Sequence, residues 1–257
     1  MARISVVINT YNAERFLREV IESARRFDEI VVCDMESTDS TRDIARGMGC
    51  RVVSFEKAGH KSAEPARQFA IQSAAHEWVL VIDADEIATP ELSRHLYKVA
   101  GEADPPAGLW IPRRNRFMDV PEKGRPRDWQ LRFFKRDSAF WPPYVHTMPQ
   151  VDGRVERIPN TLPGVEIEHL APNTVAEMVE KANRYTDAEM EKRAGKRYGW
   201  GALIARPALR FAKAYFLGGK IRYGARGFID SCLTAYYQFI MVAKVIERRR
   251  AGGGADS

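Results

Sequence analysis

At 257 residues, 45% of them hydrophobic, the chain is long enough for one α/β domain with an appendage and a substantial core. Its three cysteines, Cys33, Cys50 and Cys232, lie far apart and form no C-x-x-C, which argues against a disulfide framework or a cysteine zinc site and for a reducing, cytoplasmic compartment. The net charge of +6 is uneven: residues 192–250 hold fourteen Lys and Arg against two acids, so the rest of the chain is net acidic and the tail is suited to an anionic partner surface.

The opening residues, MARISVVINTYN, show no apolar region followed by a small-residue cleavage site, so no signal peptide is expected. Apolar runs at 4–8, 30–32, 52–55 and 78–82 are short and continuous, as strands covered on both faces should be. Helical patterns lie between them. Residues 13–26 put Phe16, Leu17, Val20, Ile21 and Ala24 on one face. Residues 41–48 follow Ser40, with Asp43 three positions on, a capping-box pattern. Residues 66–75 are expected to turn Phe69 and Ala70 inward, with Ser73 and Ala74 one turn further on. This alternation predicts a parallel sheet with right-handed crossovers, whose ligands bind at the carboxyl ends of the strands. Asn9, Thr10, Asp34, Asp83 and Asp85 all fall there.

A further helix is predicted from Thr89, with Pro90 in its first position. Over 101–164 prolines are frequent, and strand-like runs at 109–112 and 131–134 sit between polar loops. Mixed or antiparallel strands and loops covering the crevice are expected there. Thr174 and Glu177 form another capping box, opening a helix with Val175, Met178, Val179, Ala182 and Tyr185 on one stripe. From Gly199 onward two basic, aromatic-rich helical stretches are broken around Gly218-Gly219, and residues 251–257 read as a disordered tail.

The run WVLVIDADE, 78–86, ends a buried strand with two carboxylates at i and i+2. Such a pair can hold a hard divalent cation, Mg²⁺ or Mn²⁺, and so sparse a site suits a nucleotide diphosphate that completes the coordination. The alternative is that Asp83 caps the turn while Asp85 and Glu86 are solvated.

VVINTYNAERFL, EIVVCDMESTDST, ARQFAIQSA and WVLVIDADE resemble, in order and spacing, the successive signatures of the family 2 glycosyltransferases over residues 3–95. RRNRF, RDWQLRFFKR, YVHT and IEHLAPNTVAEMVEKANRY look like the subgroup containing the lipopolysaccharide-core glucosyltransferases. The resemblance implies a GT-A fold over residues 1–195: a nucleotide-binding half at 1–100 and an acceptor and cover half at 101–195. A basic helical extension at 196–250 follows. It implies that Thr10, Tyr11 and Asn12 cup the base, with Tyr11 stacking and Thr10 hydrogen-bonding, and that Asp34 accepts from the uracil N3–H. Met35 stands where the family often has a second Asp, and Glu36 where Gly is usual. Lys61 and Arg67 would neutralise the diphosphate, and Arg132 would contact phosphate or acceptor. Asp85 would ligate the metal directly, with Asp83 nearer the ribose or bound through water. His146 and His169 are candidates for a further metal or phosphate contact.

Inverting transfer needs a general base for the acceptor hydroxyl. Thr147 stands where related chains carry a Glu after the His; Asp128, in RDWQLRF, resembles the Asp before an Arg-Leu run in the lipopolysaccharide subgroup, and that resemblance implies it as the base. The predicted activity is metal-dependent, inverting transfer of a hexose, from a UDP-sugar, to a lipid-linked saccharide or lipopolysaccharide-core acceptor. A non-catalytic GT-A domain that binds nucleotide or glycan, or serves in assembly, is the alternative. The apolar run at 229–246 is short for a membrane span and carries Tyr-Tyr-Gln in its middle. Peripheral contact of the basic extension with anionic lipid at the inner face of the cytoplasmic membrane is expected instead, or else an oligomer interface. No nucleic-acid-binding pattern is present, so nucleic acid is not an expected partner.

Overall fold

The computed structural model describes residues 2–58, 64–118, 120–121, 128–143, 147–170, 174–190, 193 and 195–253. The expected alternation is there. β1 (Ile4–Thr10), α1 (Glu14–Ala24), β2 (Glu29–Asp34), α2 (Thr41–Gly47), β3 (Arg51–Ser54), α3 (Glu64–Gln72) and β4 (Trp78–Asp83) follow one another, and the four strands pair in parallel in the order β3-β2-β1-β4. β1 is buried at every position because it is covered on both faces. Ile4, Val6 and Ile8 point to a core shared with Leu17, Val20 and Ile21 of α1; Val7 points to a second core shared with Ala66, Ala70 and Ile71 of α3. Each large aliphatic side chain buried this way contributes about 1.5–3 kcal/mol.

Two local expectations need correction. Phe69 does not turn inward; it is exposed and packs against Phe55, while Ala66, Arg67, Ala70 and Ile71 form the buried stripe of α3. Ser40 makes no side-chain cap on α2. Asp39 does the work instead, accepting from the backbone N–H of Thr41 (3.0 Å) and, across the crevice, from that of Glu14 (3.2 Å).

After β4 come β5 (Glu86–Ala88), α4 (Pro90–Ala100), β6 (Gly108–Phe117), β7 (Val120–Pro121), β8 (Asp128–Lys135), β9 (Ala139–Phe140), β10 (Gln150–Val151), β11 (Val155–Arg157) and β12 (Ile167–His169). Thr89 caps α4 through its side chain, with Pro90 at the first position. The segment expected as a cover is largely sheet. β8 and β6 are longer than the sequence runs suggested and extend the main sheet, which reads β3-β2-β1-β4-β8-β6-β12-β5. β8 is antiparallel to β4 and β6, and β12 lies parallel to β6 and antiparallel to β5.

That order has a geometric consequence. β4 and β5 are four sheet spacings apart along the path, about 19 Å if the sheet were flat. Asp83 and Glu86, which end and begin them, are three Cα steps apart, at most about 11 Å. The sheet therefore curls, and the Ala84-Asp85 turn closes the curl. The side chains of β6, β8 and β12 that face inward are brought around the aspartates.

The chain divides into two compact units, Met1–Ala171 and Pro172–Ser257. The second holds α5 (Val175–Glu189), α6 (Ala202–Ala212) and α7 (Gly224–Gly253). The Thr174–Glu177 capping box opens α5 as expected. α5 packs on α7 through Tyr237, whose hydroxyl donates to Glu189 (2.9 Å), and Lys244, which pairs with Asp187 (2.6 Å). The division therefore falls at 171/172 rather than the expected 195/196. Ala251, Gly252 and Gly253 continue α7, where a disordered tail from 251 was expected. Among the described residues no helix is long and apolar enough to cross a membrane.

Candidate active site

The loops after β1 and β2 are laced together. Asn12 sits at φ +49° and its Oδ1 accepts from the Thr38 N–H (2.8 Å), while the Asn12 N–H donates to Ser37 Oγ (2.9 Å). Asp34 is fully buried. Its Oδ1 accepts from Thr10 Oγ1 (3.1 Å) and Ser37 Oγ (2.5 Å), and its Oδ2 from the Ser37 N–H (3.0 Å). Thr10 and Asp34 thus spend their polar atoms on shaping the loop. Tyr11 is the part of this loop that faces outward, 45% exposed, with the Lys57 ammonium 3.2 Å from its ring centroid. That is a flat, charged-capped platform of the kind on which a base can stack.

Asp83 lies at the end of β4 between two buried arginines. Arg67 Nη2 donates to its Oδ1 (2.6 Å) and Arg132 Nη2 to its Oδ2 (2.7 Å). Burial alone would raise the Asp83 carboxyl pKa, but the two guanidiniums outweigh it and hold the group well below the ordinary carboxylate range. Both arginines lie over the Trp141 ring, at 4.7 and 5.4 Å from its centroid. The Nε and Nη1 of each arginine, and Trp141 Nε1, are buried without a hydrogen-bond partner among the described residues. Buried donors of this kind normally meet an acceptor.

Asp85 sits differently. Its Oδ2 is 3.4 Å from His169 Nε2, and its backbone carbonyl accepts from the Leu170 N–H (2.8 Å). His169 is placed by register, opposite Glu86 on one side and Asn115 on the other. Its Nδ1 is 2.9 Å from Asn115 Oδ1. An amide oxygen only accepts, so Nδ1 carries a proton there; Nε2 faces Asp85, and in the neutral ring it presents a lone pair on that side. A carboxylate oxygen and an imidazole nitrogen 3.4 Å apart can share a cation bound at about 2.1 Å from each. The donor set, one carboxylate and one neutral imidazole, suits Mg²⁺ or Mn²⁺ with phosphate oxygens completing the shell. Among the described residues no group of three His, Cys, Asp or Glu side chains is arranged around a metal.

Between these two pairs lies an ion network of which the sequence reading picked out only Asp128. Glu86 is fully buried; its Oε2 accepts from the Asp83 N–H (2.9 Å) and its Oε1 from Arg113 Nη1 (2.9 Å). Arg113 also donates through Nε and Nη2 to Asp128 Oδ2, at 2.9 and 2.7 Å. Burial works against the Arg113 charge, yet Glu86 and Asp128 push its pKa upward. Asp128 Oδ1 accepts from Gln130 Nε2 (2.7 Å) and has a second lone pair with no hydrogen-bond partner among the described residues. On the other face of the same strands Arg114 pairs with Glu166 and Arg116 with Glu168. The period-2 polarity of RRNR and EIEH was the available signal for both faces, but only the strand register says which residues meet.

Thr10, Tyr11, Asn12, Asp34, Arg67, Asp83, Asp85, Asp128, Arg132 and His169 thus all lie in the first unit, on strands of its main sheet and on the loops and helix beside them. Lys61 and His146 lie outside the described residues. Thr147 donates through Oγ1 to the Pro142 carbonyl (3.1 Å).

The family model described as Glycosyl transferase family 2 matches residues 5–152. The lipopolysaccharide core biosynthesis glycosyltransferase LpsC of Rhizobium meliloti (strain 1021) is 30% identical over 257 residues, covering 95% of this chain and 92% of that protein. An uncharacterised glycosyltransferase of Rickettsia typhi (strain ATCC VR-144 / Wilmington) is 27% identical, over 96% of this chain and 88% of that one. The crystal structure of S. aureus TarS 1-349 shares the fold, with a TM-score of 0.50 and 15% identity over 97% of this chain and 92% of that chain. The family match spans more than half of the chain and takes in both aspartates of the closing turn, and the match to LpsC carries on through β12: the chain belongs to glycosyl transferase family 2 and is a glycosyltransferase of the GT-A fold.

Proposed function

We propose that this enzyme transfers a hexose from a UDP-sugar, with inversion and with Mg²⁺ or Mn²⁺, to a lipid-linked saccharide or a lipopolysaccharide-core acceptor at the inner face of the cytoplasmic membrane. The observation that carries the metal-dependent reading is the Asp85–His169 pair, with the imidazole tautomer fixed by Asn115. The acceptor class rests on the relative named for lipopolysaccharide core biosynthesis.

Each residue then has a task. Tyr11 stacks on the base, and Thr10, Asn12 and Asp34 hold the loop that presents it; Asp34 keeps its proposed contact to the base only if Ser37 yields. Asp85 and His169 would hold the cation, and when bound it would supply Lewis-acid stabilisation of charge on the diphosphate. Asp83 stays on Arg67 and Arg132 and sits nearest the ribose. The spare N–H donors of Arg67 and Arg132, with Lys61, meet the diphosphate. Asp128 takes the proton of the acceptor hydroxyl through its open Oδ1 lone pair, and Arg113 fixes its orientation.

Calorimetric titration with UDP, GDP and CDP, each with and without Mn²⁺, tests this reading. UDP should bind tightest and only with Mn²⁺. Asp85→Ala should abolish the Mn²⁺-dependent part and leave the thermal midpoint close to that of the parent. Unchanged UDP affinity in the variant would remove the metal assignment.

A further inference from the structure

Residues 192–229, within the second unit, carry ten Lys and Arg and no Asp or Glu. Arg206 and Leu209 of α6 and Lys213 at its C-cap are three and four residues apart, and the cap keeps helical geometry, so they lie side by side. The chain then makes a π turn over Lys213–Leu217 and reverses at Gly218-Gly219, with Gly219 at φ +71°. Phe216 and Leu217 stand at this reversal, 59% and 84% exposed, and Leu209 is 70% exposed. Behind them Phe211, Tyr215 and Phe228 form a cluster with ring centroids 5.3 to 5.8 Å apart. These stacked and edge-on rings order the hairpin, with Phe211 and Tyr215 partly buried and Phe228 half exposed, while Leu209, Phe216 and Leu217 are left in water. Exposed apolar groups of this size, grouped and rimmed by cations, mark a contact surface.

The chemistry selects the occupant. A second copy docked face to face would set like charges, Arg206, Lys213 and Arg222 among them, against one another. A nucleic-acid backbone would satisfy the cations, but it offers nothing to Leu209 and Leu217. An anionic bilayer satisfies both, because phosphates lie directly above acyl chains. We propose that the hairpin 206–222 docks this enzyme on anionic lipid, with Phe216 and Leu217 in the headgroup–acyl boundary and Arg206, Lys213 and Arg222 against lipid phosphates. The proposal builds on the lipid-linked acceptor suggested above, but its test needs neither acceptor nor donor.

The test is co-sedimentation of the full chain with phosphatidylcholine vesicles, with and without phosphatidylglycerol. Binding is expected only with phosphatidylglycerol. The double variant F216S/L217S should bind about tenfold more weakly or worse, and Arg206→Gln and Lys213→Gln about fivefold more weakly each. Leu217→Trp should add emission that shifts to the blue when vesicles are present, a readout independent of any loss of affinity. UDP binding retained by every variant keeps a membrane effect apart from damage to the fold or failure of the donor site. Absence of binding to phosphatidylglycerol vesicles, or binding that F216S/L217S leaves unchanged without a blue shift for Leu217→Trp, would overturn the proposal. Binding of RNA in place of vesicles would assign this face to nucleic acid and overturn it equally.

Discussion

Asn115 contacts no proposed substrate group, yet it decides what His169 can be. With its amide oxygen on Nδ1, the neutral imidazole keeps Nε2 free for a cation; without it, either nitrogen can carry the proton. Asn115→Leu should therefore lower Mn²⁺ affinity about 10- to 100-fold in titrations followed by Mn²⁺ electron paramagnetic resonance, with the metal-free protein equally stable. Asp83 makes a different prediction. Its folded-state pKa lies below its unfolded value of about 3.9. Its stabilising contribution is therefore complete above about pH 4 and is lost as pH falls through the folded-state value. Urea midpoints of the parent and Asp83→Asn should be well separated at pH 6 and should draw only partly together by pH 3, the rest of the gap closing at lower pH. A gap that stays constant across that range would show that the two arginines do not hold this carboxylate. The aspartates themselves were legible in the sequence, because an apolar strand that ends in two acids is conspicuous. Asn115, Glu86 and Arg113 were not, since a polar residue on a strand has meaning only once its cross-strand neighbours are known.

Among the elements, the parallel strands and their helices were readable because each combines a continuous apolar run with a 3.6-residue stripe. The errors arose where local pattern and tertiary position disagree. Phe69 is as apolar as Ile71, but α3 is short and lies close on the sheet, so Ala66 and Ala70 take the inner face and the larger ring moves outward onto Phe55. Ser40 had the spacing of a cap, but Asp39 reaches two backbone N–H groups and does the capping. The break near Gly218-Gly219 was also readable, although the glycine that constrains it most is further on. A Cβ on Gly227 would collide with the Lys220 carbonyl and lie 3.0 Å from Tyr223 Cβ. Gly227→Ala should cost about 1–3 kcal/mol in urea unfolding followed by circular dichroism. Gly201→Ala, where a methyl group meets nothing within 4 Å, should be neutral or slightly stabilising.

For the whole molecule, the sequence pointed to a sheet with a crevice but not to a sheet that curls back on itself. Curling depends on β12, three residues long, pairing between β6 and β5 across a separation of about 80 positions. No window of the chain contains that information. The same pairing sets an order of assembly. β1 to β4 can associate as soon as residue 83 is available, because each crossover is local. β5 cannot gain its neighbour, and Asp85 cannot gain His169, until residue 169 has been made. A growing or truncated chain that stops short of β12 lacks the strand that pairs with β5 and leaves Asp85 without His169. With Asp85 and His169 as the proposed cation pair, the loops proposed to meet the base are complete in sequence first, and the metal pair is gained only when the sheet has closed.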